Sequence, residues 1–355
     1  LTIAANGTLS APRGNLAMGA AFHSNATAPT TQFIHNNGTF TFDGGNSTLH
    51  GSTTSTGTHF YNLTQDGSGY VDGYEYYTVE NKLTTKAGQS YYINDSGKIY
   101  IGTSTVAGEM EINGALSLGT NGQTYIEGVG GPTLPALIDY NGSISGASGA
   151  TGDDTAYLNL TNVNWDGTLT TGTTNIKLGG DAEFDAVTVS SGGELDLNGQ
   201  RVVIGGLTST GTGTITATNS LVYLNAKSGG FGYRIHDNGT FTHGGSTFVV
   251  DSSGDPACQM QPTGNTFNNI VFLQDANLNG GELKAAGFAK FCANDMATNN
   301  ENITAVDVTI PTGGTLTAGS STITASGDFT TSGGLLGASC YNCDSSSNYY
   351  ANTGS

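Results

Sequence analysis

A short phrase recurs along this chain and restricts the folds open to it. Leu1, Ile3, Gly7 and Leu9 stand at the spacing apolar-x-apolar-x-x-x-Gly-x-apolar. The same spacing returns at Val187, Val189, Gly193 and Leu195, and again at Val308, Ile310, Gly314 and Leu316. Tyr91, Ile93, Gly97 and Ile99 make a looser copy. A period of two points alternate side chains to one face of a strand. Glycine then supplies a turn at little steric cost. The chain reads as strand, turn, strand, with an apolar residue leading inward after each turn.

A longer repeat lies over this one. Ile34 to Thr41 matches Ile235 to Thr242, including His35 and His236, Gly38 and Gly239, and Phe40 and Phe241. Both copies continue into Gly-Gly and then a Ser-Thr pair. Both reach a second aromatic run, Phe60, Asn62, Leu63 in one and Phe267, Asn269, Ile270 in the other. This is an internal duplication offset by about 200 residues.

Composition decides between the architectures such strands can build. Hydrophobic residues make up 36%, below the roughly 45–50% of ordinary globular domains, so a thick core is hard to fill. A thin core needs only alternate residues. The chain is expected to be all-β: an elongated β-solenoid or β-helix-like rod with loop insertions, in coils of about 20–25 residues. Repeated β-sandwiches are the alternative. Residues 1–150 form an N-terminal β-repeat region with a Tyr-rich insertion. Residues 151–343 form a C-terminal β-repeat region, and 344–355 a polar tail. The rhythm breaks at 70–77, 128–155 and 253–266, which are expected to be extrusions or boundaries.

Charge excludes some functions. Ten Lys and Arg against 28 Asp and Glu give a net charge of −18, the wrong sign for displacing counterions from a nucleic acid. No apolar stretch approaches the length of a membrane-spanning helix. The chain opens at Leu1 without Met or a basic stretch, so either a leader has been removed or this is a segment of something longer.

The chemistry-bearing residues are sparse. Asp181, Glu183 and Asp185 share one face of a strand, but they read as a solvated acidic face, and no nucleophile motif accompanies the six His. The expectation is a protein that is not an enzyme and has no cofactor. Asp66, Asp72 and Glu75 in a Gly-rich loop are candidate calcium ligands, because hard cations favour oxygen clusters. Their spacing fits neither an EF-hand nor a calcium-binding nonapeptide. Tyr70, Tyr74, Tyr76 and Tyr77 are candidates for an interface or a glycan contact, since exposed phenol rings anchor both. Cys340 and Cys343 could pair with each other, and Cys258 with Cys292, in an oxidising compartment. Reduced thiols are the other reading.

The Asn-Gly-Thr-Phe-Thr turns at 37–41 and 238–242, with the run at 60–63, resemble the Gly/Thr/Asn-rich β-strand-repeat proteins of marine tailed phages and environmental bacteria. That resemblance implies a structural protein of a virion or surface appendage, such as a fibre, spike, decoration protein or surface filament. It implies an extracellular, virion or cell-surface location. Its partners would be further copies of itself, other appendage subunits, or a cell-surface glycan. A bacterial adhesin or autotransporter-type passenger and a glycan-degrading tailspike are the alternatives.

Overall fold

The computed structural model describes residues 1–25, 29–51, 57–93, 97–118, 123–146, 157–225, 233–237, 239–251, 258–263, 265–292 and 296–332. The described strands form a β-solenoid of about 13 turns. Apart from one helical turn at Pro29–Gln32, the secondary structure of the described residues is strand and turn. The chain packs as two compact units, Leu1–Glu183 and Phe184–Ser355.

Each coil of the first unit has three sides, and stacking the coils makes three parallel sheets. The first sheet runs Thr2–Ile3, Phe22–Ser24, Ser47–His50, Tyr70–Tyr74, Ser90–Ile93, Ala115–Leu118 and Ser143–Gly146. In the second sheet, residues 77–79 pair with 58–60 on one side, and residues 76–79 with Lys98–Ile101 on the other. Gln123–Gly128 and Tyr157–Thr161 follow. The third sheet sets Asn15–Met18 against Thr39–Phe42, then residues 62–65, 82–85, Glu109–Ile112, Ala136–Tyr140 and Val163–Thr170.

The core follows from strand alternation. Leu16, Phe40, Leu63, Leu83, Met110, Ile138 and Trp165 lie side by side in the third sheet, one from each coil. All but Leu16 are buried. Only every second residue is needed inside, which explains how a chain this poor in apolar residues folds. At two corners polar side chains enter the interior with partners. Thr85 is fully buried, and its Oγ1 accepts the Asn113 (2.9 Å) and Gly114 (3.2 Å) amides of the next turn. The side chain of Gln65 donates to the Gly69 carbonyl (2.9 Å) and accepts from the Lys86 amide (3.2 Å).

The second unit repeats the three-sided plan. Val202, Val222, Phe248, Ile270, Ala289 and Val308 form one inner ladder. Leu207, Ile235, Met260 and Leu278 align on another side. Coil length varies: Arg201 lies against Leu221, 20 positions on, and Glu109 against Leu137, 28 positions on.

Three expectations need correction. The Tyr-rich stretch is not an insertion: Tyr70–Tyr74 and Tyr76–Thr85 are strands in register with their neighbours. Aromatic residues suit a half-buried pleated surface, and Glu75 turns the corner between the strands at φ 65°. Within 128–155, Ala136–Tyr140 and Ser143–Gly146 continue their sheets. Within 253–266, Cys258–Gln261 is a ladder strand. Residues 147–156, beside the expected boundary near 150, lie outside the described residues, as does the polar tail.

Candidate functional site

The most chemically differentiated place on the first unit is a corner where three successive coils present His35, His59 and Glu80. His59 is an outward residue of Thr58–Gln65, between buried Thr58 and Phe60. Glu80 owes its position to a register irregularity. Val79 pairs with Phe60 and Lys82 with Asn62, so Glu80 and Asn81 stand against the single residue Tyr61. Such a bulge pushes a side chain out of the ladder. Asn81 is pinned by donating to Asn62 Oδ1 at 2.7 Å, which leaves Glu80 to face the histidines.

The hydrogen bonds fix proton positions. The Asn37 amide donates to His35 Nδ1 at 3.0 Å. The proton of a neutral His35 therefore sits on Nε2, which faces Glu80 Oε2 at 3.4 Å. His59 Nδ1 lies 3.0 Å from Glu80 Oε1. An ionised carboxylate only accepts, so His59 donates from Nδ1, and a neutral His59 carries its lone pair on Nε2. The His59 hydrogen bond holds the Glu80 carboxyl below the usual range. Burial works against this and His35 adds to it. The His35 ring is itself stacked on Tyr61, with centroids 5.8 Å apart.

Beside this corner opens a groove of about 390 Å³. Its floor is Thr78, which lies between His59 on one neighbouring strand and Tyr100 on the other. Glu80 closes one edge. Residues 102–104 and Val129 close the other. That second wall is a tight loop. The Thr103 amide donates to the Val106 carbonyl (2.9 Å), and Thr103 Oγ1 accepts the Val106 amide (3.0 Å). The backbones of Gly102 and Gly108 touch at its neck, and a Cβ on Gly108 would collide with Gly102. Tyr100 is braced as well: the Lys98 ammonium lies 4.7 Å from its ring centre and reaches Glu127 Oε2 at 2.5 Å.

The residues singled out from sequence are mostly elsewhere. Asp66 is ion-paired with Lys86 (2.8 Å). Asp72 accepts from the Tyr74 hydroxyl (2.7 Å), and Glu75 occupies its corner. Among the described residues, no group of three or more His, Cys, Asp or Glu is placed to hold a metal ion. Tyr70 is exposed, Tyr74 and Tyr76 are half-buried, and Tyr74 stacks on His50 at 4.6 Å. Tyr77 is fully buried, so it is no surface contact: its alternation in the strand turns it into the core. Cys292 is half-buried, with its amide donating to the Phe272 carbonyl (2.7 Å). The side chain of Cys258 is outside the described residues, as are Cys340 and Cys343. The side chain of His236, the repeat partner of His35, is also outside them.

Glu80, His59 and Tyr100 were not signalled by any motif. A spacing signal did exist. His35, His59 and Glu80 are separated by 24 and 21 positions, about one coil each, so a solenoid brings them into one column. Scans against family models, curated proteins and solved structures return no match to this chain.

Proposed function

We propose that the protein is a non-enzymatic structural component exposed on a virion or a surface appendage, giving a stiff element for attachment or assembly. One observation supports the reading: inner ladders with one buried apolar residue per coil, such as Phe40, Leu63, Leu83, Met110, Ile138 and Trp165. A strand inside such a stack bonds to neighbours on both sides, so separating coils breaks a whole row of hydrogen bonds at once. The acidic balance of −18 favours solubility and opposes edge-to-edge association.

Electron microscopy of the native source material, with antibodies against this chain, tests the proposal. Label on particles or their appendages is the expected result. Label confined to cell envelopes or free fibres overturns it in favour of a bacterial adhesin. Turnover of a glycan by the purified chain overturns it in favour of a tailspike enzyme.

A further inference from the structure

The outward ladders of two neighbouring sheets differ in one respect. In the first sheet a ring occupies each of three successive rungs. His23 stacks on His50 at 4.3 Å, and His50 on Tyr74 at 4.6 Å, with interplanar angles of 20° and 8°. These spacings match the strand separation of about 4.8 Å, and no room is left between the rings. In the second sheet the corresponding column reads His59, Thr78, Tyr100. The middle rung carries a short side chain. Two rungs separate His59 from Tyr100, about 9.6 Å at the usual strand spacing, and the groove of about 390 Å³ lies over the gap.

We infer that this groove is a binding site for a saturated six-membered ring bearing hydroxyl groups, a pyranose unit of a glycan, held between His59 and Tyr100 over Thr78. The width selects the ring. A flat aromatic ring between two others needs about 7 Å, at 3.5 Å per contact, and would leave space. A puckered saturated ring has carbons at several heights and contacts both walls at about 4 Å. The groove volume lies within the range of small-ligand sites, which pair apolar walls with a few placed polar groups.

The polar groups are matched to hydroxyls. Both Glu80 oxygens are held by imidazoles, and each keeps a second lone pair that can accept a ligand O–H. Nε2 of a neutral His59 offers another acceptor. Thr103 and Ser104 line the opposite wall and bring hydroxyls that donate or accept. The Glu80 carboxylate disfavours an anionic ligand. The loop at 102–108 and the Lys98–Glu127 pair hold the second wall in place before any ligand arrives, which lowers the ordering cost of binding. The site is distinct from the exposed Tyr70 and from Tyr74 and Tyr76, and it does not depend on where the protein resides.

Saturation-transfer NMR on the full chain tests the inference, with the methyl glycosides of glucose, galactose, mannose and N-acetylglucosamine as probes. At least one is expected to show transfer to its ring C–H protons. Tyr100→Ala removes a wall and Thr78→Tyr fills the empty rung. Each is expected to weaken binding at least tenfold while the thermal midpoint of the Thr78→Tyr protein stays near that of the parent. Thr78→Tyr is the second arm in case Tyr100→Ala perturbs folding, because the adjacent sheet already tolerates three stacked rings. Transfer from none of the four glycosides, or transfer that survives Thr78→Tyr, overturns the inference. Neither result bears on microscopy of the native material.

Discussion

The hydroxyl of Tyr91 donates to the hydroxyl of Tyr77 across 2.8 Å in the interior of the first unit, where both side chains are fully buried. Tyr91 is one of the motif positions expected to point inward. Tyr77 was expected on the surface. Burial pushes both phenols above their ordinary ionisation range.

Breaking this pair on one side should cost more than breaking it on both. Tyr77→Phe leaves the Tyr91 donor buried without its acceptor, a loss of about 1–3 kcal/mol. The double change Tyr77→Phe with Tyr91→Phe should recover most of that loss, because no unpaired polar group remains. Urea denaturation of the parent, the two single variants and the double variant measures the coupling. Additive losses would contradict the paired arrangement.

Glu80 predicts a specific acid sensitivity. Its folded-state pKa lies below the unfolded value of 4.5. A group shifted this way contributes stability that is fully present above the unfolded pKa and is lost as pH falls through the folded one. The thermal midpoint should therefore fall more steeply below pH 4.5 in the parent than in Glu80→Gln. Parallel pH profiles for the two proteins would show that the histidine contacts contribute nothing.

Neighbouring residues on one strand should respond oppositely to truncation. Ile138 is buried between Met110 and Trp165, whereas Leu137 is 45% exposed. Ile138→Ala removes packing and leaves a cavity, at a cost of about 2–5 kcal/mol. Leu137→Ala should fall within about 0.5 kcal/mol of the parent. Denaturant midpoints compare them directly, and equal losses would place the strand in the wrong register.

Two glycines make a similar contrast at the corners. A Cβ on Gly142 would run into the Gly114 carbonyl of the preceding coil, whereas one on Gly14 meets nothing within 4 Å. Gly142→Ala should destabilise by about 1–3 kcal/mol as an overpacked contact. Gly14→Ala should be neutral to about 1 kcal/mol stabilising, through the unfolded chain. Thermal melts of the two variants decide it.

The sequence by itself determined the strand content, the solenoid class and much of the inner ladder. Val308, Ile310 and Leu316 are buried as their spacing required, as are Tyr91, Ile93 and Ile99, because alternation in a strand is a local property. The duplication was legible too, and its aromatic contacts are shared: Phe40 lies 5.3 Å from Phe60, and Phe241 5.2 Å from Phe267. What only the tertiary structure decided is which strand each copy stacks on. Leu63 lies beside Phe40, but its counterpart Ile270 lies beside Phe248. Leu49 to Phe60 spans 11 positions, and the matching interval from Phe248 to Phe267 spans 19 and holds the added strand Cys258–Gln261. The extra strand carries the chain along one more side of its coil before the matched run begins. The groove arose in the same way: His59, then Thr78 with Glu80, then Tyr100 are ordinary residues on three successive coils, and variable coil length together with the Glu80 bulge sets them side by side. Register between coils is summed over every intervening turn, and a short motif carries no record of that sum.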